Sequence, residues 1–572
     1  MASPDEEAHL PLTHPAKHLP FELVQHVAIF FEEKLHTQAL SLLLNALSSR
    51  PDASTPIFIP SPQHLALAAT FLVHPSTTAR PKTTEEEEAS NISLRLLRLV
   101  NSLVGPITAG FSTAFQFTHF ETLRHGGRRH NDDACAASTT KLTPDGERKP
   151  LNLDRDIDID LAQSASVWSR AEDFWHAVGW AFNCSVLHPA RWERWRNWLE
   201  FMCEVLEDDW NERLRIKEND PSHNEKPLQE SMIIHYINSS SVGFGRHRRI
   251  LRAIFADGGT TAANEFREVF HHELKLSRKK ATDDREKKKK KREEAVDIDA
   301  EQYGDFYVTT DHEDDEASAG RESKRPRRST AATTRPRRAA AAASTTITPT
   351  TPGSNPDQPA PDMATASSLL GDTTSLALRQ RLLHLLSTVS QTLPSHFLDL
   401  QDLYQFFVEN IRPLPLPIYQ SFISPFVLPY FSSPAQTTLC EYLLFRLREN
   451  AAPDTDEEYL NQSKLEKCFL PYAAATSSLS DNAKMSITIE ALIMLLAESH
   501  MLHVTEDFKY LVKKGIIKRA EKAQFETRKN QFARLSEDLE WSWLCESAER
   551  LTFLVEEMIP LTARNSPPST GS

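Results

Sequence analysis

FWHAVGWAFNCSVLHPARWERWRNWLEFMCEVLEDDW, residues 174–210, is the stretch whose reading decides the fold class. Seven of the chain's nine tryptophans lie between Trp168 and Trp210. Trp192, Trp195, Leu199, Met202, Leu206 and Trp210 recur every three or four residues, which is the period of one helix face. Trp198, Phe201 and Val205 run beside them, so the apolar face is wide, and a wide face needs neighbours on more than one side. Upstream, Trp168, Trp175 and Phe182 are spaced by seven and predict one stripe of a preceding helix. SVLHP breaks that pattern, and Pro189 suits the first turn of the next helix. The spacing therefore predicts a helical hairpin whose aromatics form a core. Each buried ring removes ~150–250 Å² from water, and truncating one costs ~3–5 kcal/mol. A competing reading has Trp192, Trp195 and Trp198 as the exposed edge of a partner site, because tryptophan is enriched at interface hot spots.

Composition agrees with helices. The 572 residues include only 16 glycines, against a usual ~7%. Nucleotide-binding α/β folds and β-rich folds spend glycine on tight turns and close backbone approach. The 35 prolines cluster between helical segments: 20–47, 62–74, 91–123, 228–274, 368–390, 397–411, 437–450, 487–502 and 506–558. Residues 20–47 read as one long helix or a bent pair, and loops are expected near 75–90 and 125–160. The expected fold is all-α. It is an irregular array of helical hairpins, α-solenoid-like and similar to HEAT scaffolds in pattern only, since no fixed repeat or family motif accompanies it.

Two helical regions are expected, 18–275 and 367–562, with disordered ends at 1–17 and 563–572. Between them, 276–366 reads as a disordered charge-block linker. Residues 278–292 hold ten Lys or Arg, 293–316 hold eleven Asp or Glu and no Lys or Arg, and 321–338 hold eight Arg or Lys. Such blocks cannot bury enough apolar surface to offset chain entropy. Whether the two regions pack as one body is not legible at this level.

The linker also carries the sharpest motifs. Lys287, Lys288, Lys289, Lys290, Lys291 and Arg292 form one basic cluster; Lys324, Arg325, Arg327 and Arg328 form a second. RPRR at 335–338 makes a third. Short exposed clusters of this kind predict nuclear import. The intervening acidic block, with Tyr303, Phe306 and Tyr307, suits basic nuclear partners such as histone tails. Arg246, Arg248, Arg249 and Arg252 in GFGRHRRILR form a local basic stretch that could meet a phosphate backbone, although the net charge of −14 confines any nucleic-acid role to such patches.

Other chemistry is not indicated. The six cysteines include no C-x-x-C pair, and no H-x-x-x-H spacing occurs near His176, His188, His235, His271 or His272, so neither a metal nor a disulfide framework is expected. No nucleotide loop, nucleophile elbow or kinase motif is present, and no cofactor is expected. The N-terminus lacks a signal-peptide pattern, and no stretch of 18 uninterrupted apolar residues occurs, so no membrane partner is expected. The resulting expectation is a non-enzymatic nuclear scaffold or adaptor in a chromatin-associated or genome-maintenance complex. The alternatives are a direct nucleic-acid-binding protein, a ribosome-assembly factor and a helical enzyme without known motifs.

Overall fold

The computed structural model describes residues 16–48, 56–118, 157–219, 225–239, 245–274, 369–428, 430–455, 459–523 and 531–559. The longer N-terminal helices are α1 (Phe21–Glu32), α2 (His36–Ser48), α3 (Pro62–Val73), α4 (Thr84–Val104), α5 (Phe174–Leu187), α6 (Pro189–Asn219), α7 (Met232–Ser239) and α8 (Arg246–Ile254). The C-terminal ones are α9 (Thr373–Thr392), α10 (Leu400–Ile411), α11 (Leu416–Ile423), α12 (Ser433–Leu447), α13 (Gln462–Cys468), α14 (Leu479–Glu498), α15 (Glu506–Lys522) and α16 (Gln531–Phe553). Several one-turn helices fill the connections. The fold is all-α among the described residues, apart from a parallel pair of three-residue strands, β1 (Ala16–His18) and β2 (Ile57–Ile59).

Local chemistry explains the boundaries. The expected helix over 20–47 is two helices, because Lys34 takes a left-handed conformation at φ 63° and turns the chain between α1 and α2. The loop expected over 75–90 ends earlier than predicted: Thr83 caps α4 by accepting from the Glu86 N–H at 3.3 Å. Glu85, Glu86 and Glu87 thus fall in the first turn, where the helix dipole favours carboxylates. Trp168 does not continue the stripe of Trp175. It sits on a separate one-turn helix, Val167–Arg170, and α5 starts only where Asp173 accepts from the His176 N–H at 2.7 Å. The long α6 begins at Pro189 as its sequence requires.

Each half is organised around one helix buried on nearly all sides. In the N-terminal half this is α5, whose residues Phe174 to Ser185 are all buried. Gly179 makes room for a neighbour, since a Cβ there would stand 2.3 Å from the Phe266 ring. In the C-terminal half it is α14, lined by Met485, Ile487, Ile489, Leu492, Ile493 and Leu496 and packed by α11, α12, α15 and α16. Gly515 does the corresponding work: a Cβ on it would overlap the Leu470 carbonyl oxygen.

The two halves meet in one unit. Helix α9 packs on α6, and α10 packs on α8. Arg381 grips Glu207 through two bonds of 2.6 Å. Arg379 is fully buried. It donates to the carbonyls of Ile254 and Ala256 at the end of α8, and its guanidinium lies 4.0 Å over the Phe182 ring. Burial pulls it down to about 9, so it stays charged at neutral pH. The charge-block segment 276–366, with Lys287–Arg292 and Lys324–Arg328, lies outside the described residues.

Candidate functional site

The tryptophan hairpin is core. Trp195 and Trp198 are fully buried and Trp192 is 4% exposed. The polar edge of Trp195 is engaged inside the protein, at Glu273. That carboxylate accepts from the indole N–H of Trp195 at 2.6 Å and of Trp180 at 3.0 Å, from the Phe270 backbone N–H at 3.3 Å, and from the Arg191 guanidinium. Arg191 also holds the Thr78 hydroxyl and the Val73 carbonyl. Trp192 donates to Asp372 at 3.2 Å, across the junction of the halves. The expectation of an exposed partner edge at Trp192, Trp195 and Trp198 is therefore corrected. Glu273 lies 78 residues beyond Trp195 in sequence, and no local pattern could pair them.

Three of the four arginines of α8 pair with carboxylates, and Arg248 and Arg252 remain exposed beside theirs. Arg249 is paired with Asp173 and with Glu172 at 3.2 Å. Arg252 makes two bonds to Glu265, at 2.8 and 2.7 Å. Arg248 lies 3.6 Å from Glu409 and over the Phe406 ring, while Arg246 reaches the Asn238 amide at 3.5 Å. The helix links three elements, and these pairings draw on the charge that a phosphate backbone would need.

Other titratable groups serve the packing. Burial pushes the carboxyls of Asp209 and Glu490 up, and each is held by an arginine, Arg213 at 2.9 Å and Arg550 at 2.8 Å. Cys184, Cys203, Cys440 and Cys468 are buried and in no disulfide. Among the described residues no group of three His, Cys, Asp or Glu gathers as a metal site, and no helix is long and apolar enough to cross a membrane.

Among the described residues, two concavities are wider than the hollow of about 270 Å³ beside Gln229 and His235. A cleft of about 560 Å³ is walled by neutral groups such as Gln63, Thr113, Gln116, Gln163 and Ser166 beside Trp168. Thr118 and Ile157 also line it.

The second is a groove of about 420 Å³ in the C-terminal half. Its walls are Phe426, Met494, Ala497, Leu502, Leu554, Met558 and Ile559, with Glu498, His500 and His503 among them. Phe426 is 63% exposed, the adjoining Val427 53%, Met501 51% and Met558 42%. Soluble surfaces rarely gather large apolar side chains in this way, and such patches mark interaction sites. Two backbone irregularities converge here. Helix α16 ends in a π-helical turn, Leu554–Met558, which places Leu554 and Met558 on the wall. Helix α14 ends with His500 left-handed at φ 55°, where glycine is usual. The Met501 N–H then bonds back to the Leu496 carbonyl at 2.9 Å and closes the helix. Both irregularities recur at functional sites.

No protein-family profile and no curated protein matches this chain.

Proposed function

We propose that this protein is a non-enzymatic nuclear scaffold or adaptor, a subunit of a chromatin-associated or genome-maintenance assembly, and that it holds a protein partner in the C-terminal groove. The observation that carries the reading is the run of exposed apolar side chains at Phe426, Val427, Met501 and Met558 around that groove. Elsewhere, the aromatic residues that composition singles out are consumed by the core. The basic clusters Lys287–Arg292 and Lys324–Arg328 support the nuclear part of the reading through import.

The test is affinity purification of the tagged full-length protein from nuclear extract, with and without nuclease, beside the Phe426→Asp/Met558→Asp variant. Both positions are exposed, so the variant should keep its stability within about 0.5 kcal/mol. A stoichiometric partner set that survives nuclease and is lost in the variant supports an adaptor acting through this groove. Partners lost on nuclease treatment, and indifferent to the variant, would return the assignment to nucleic acid. Alanine replacement of both basic clusters should move a fluorescent fusion from nucleus to cytoplasm, and unchanged nuclear accumulation would remove the import argument.

A further inference from the structure

Resting on the adaptor reading, the groove's chemistry narrows its occupant, and we infer that it receives an amphipathic helix with a large apolar face flanked by lysine or arginine. The floor supplies the apolar half of the match. Met494, Leu502, Leu554, Met558 and Ile559 line an open trough, and methionine at two of these places suits repacking around aliphatic or aromatic knobs. A helix presents such knobs at three- and four-residue spacing, which is how grooves of this kind are filled.

The charged side chain on the trough's wall is acidic. Glu498 lines it, and Glu556 and Glu557 are exposed on the π turn that forms its wall. Lys513 answers Glu556 at 2.6 Å. Basic flanks on the incoming helix would complete these carboxylates.

The same charge argues against the competing occupants. The aromatic block at 293–316 has apolar side chains, but its eleven acidic residues would meet a rim of like charge. The C-terminal tail, residues 560–572, offers only Leu561 as a large aliphatic or aromatic side chain and cannot fill the trough. A second copy of the chain would set two acidic rims together.

The experiment is fluorescence anisotropy on the full-length protein with two labelled designed peptides. Both are helices of about 18 residues, or five turns, with the same leucine and phenylalanine face; one is flanked by lysine and the other by glutamate. The lysine helix should bind about tenfold tighter at low salt, as expected when exposed ion pairs replace like-charge contacts. Glu498→Lys/Glu557→Lys should reverse that preference. The matched control Glu87→Lys/Glu88→Lys, on α4, changes net charge equally and should not. Phe426→Asp/Met558→Asp should abolish binding of either peptide. Equal binding of the two peptides, no binding of the lysine helix, or a preference that shifts equally in the α4 control overturns the inference. So does a dimer of the protein that dissociates in Phe426→Asp/Met558→Asp, which would give the groove to self-association. If the lysine helix fails while groove-dependent partners are still captured from nuclear extract, the occupant's chemistry is wrong and the adaptor reading stands. If groove variants lose no partner, the adaptor reading itself falls.

Discussion

Helices α5 and α14 hold the same place in their two halves but are built from different materials. The surroundings of α5 are aromatic: Trp175, Trp180, Trp195, Trp198 and Phe174, with polar edges that must be matched inside the core. The surroundings of α14 are mostly aliphatic and carry few polar edges. The N-terminal half accordingly needs a central carboxylate, Glu273, to receive two indoles and a guanidinium. The C-terminal half seats Arg519 differently, on the carbonyls of Leu470 and Tyr472 and the Ser486 hydroxyl. The surfaces differ in the opposite sense. Among the described residues, four large apolar side chains are exposed in the N-terminal half and twelve in the C-terminal half. The half with the more conspicuous aromatic sequence has closed it inward; the plainer half leaves more apolar surface exposed among the described residues.

The hardest way to break this comparison is Glu273→Ala. It strands the Arg191 charge and the N–H groups of Trp180 and Trp195 inside the core. The expected loss is about 3–5 kcal/mol, as for one partner removed from a buried ion pair. Chemical denaturation measures it, and a loss below about 1 kcal/mol would mean that water reaches the cluster.

Acid should weaken the N-terminal half at His64. This ring accepts from the Ser61 backbone N–H at 3.3 Å at the start of α3 and is held neutral by burial, down to about 4. The unfolded chain takes up the proton near 6.5 and the folded chain only near 4. Stability from this group is whole above pH 6.5 and falls as pH drops through that window, by about 3 kcal/mol at its lower end. His64→Gln should remove most of that slope from a pH series of denaturation curves. His36, His74, His188 and His247 shift in the same direction and add to it.

A finer cut separates two neighbouring tryptophans. Trp195 donates to Glu273, whereas the Trp198 indole N–H is buried with no hydrogen-bond partner. Both Phe substitutions lose ring volume, but Trp195→Phe also leaves a carboxylate lone pair unmatched. Trp195→Phe should therefore cost about 1–2 kcal/mol more than Trp198→Phe. Equal losses would reduce the hydrogen bond to an ornament of the packing.

The smallest effect lies at the groove. His500→Gly relieves a left-handed residue at the end of α14 and should stabilise the protein by about 1 kcal/mol. The same change should leave the anisotropy of the lysine-flanked helix within about twofold if His500 shapes the backbone rather than contacting the occupant.

Much of the scaffold was legible in the sequence. The spacing from Trp192 to Trp210 gave a helix, Pro189 gave its start, and scarce glycine excluded the glycine-dependent folds. These are local facts, and helix formation depends on neighbours three and four residues away. The errors were local as well. Four glutamates at 85–88 looked like loop charge but cap a helix dipole, and the seven-residue spacing of Trp168 and Trp175 straddled a break at Asp173. The groove was not legible, because three segments build it: the loop at Phe426, the end of α14 with its following loop, and the π turn after α16. Phe426 stands in a proline-punctuated apolar stretch, and no local pattern marks its side chain as exposed.

The sequence by itself determined that this chain is helical, aromatic at its N-terminal centre and charge-blocked in its middle, since periodicity and composition act over a few residues. Only the tertiary structure decided which apolar groups are inside. Trp195 on α6 and Phe426 in the loop after α11 are both large hydrophobes, and one is fully buried while the other is 63% exposed. Burial is settled by which distant elements arrive to cover a face, and Glu273, 78 residues from Trp195, arrived at one of them.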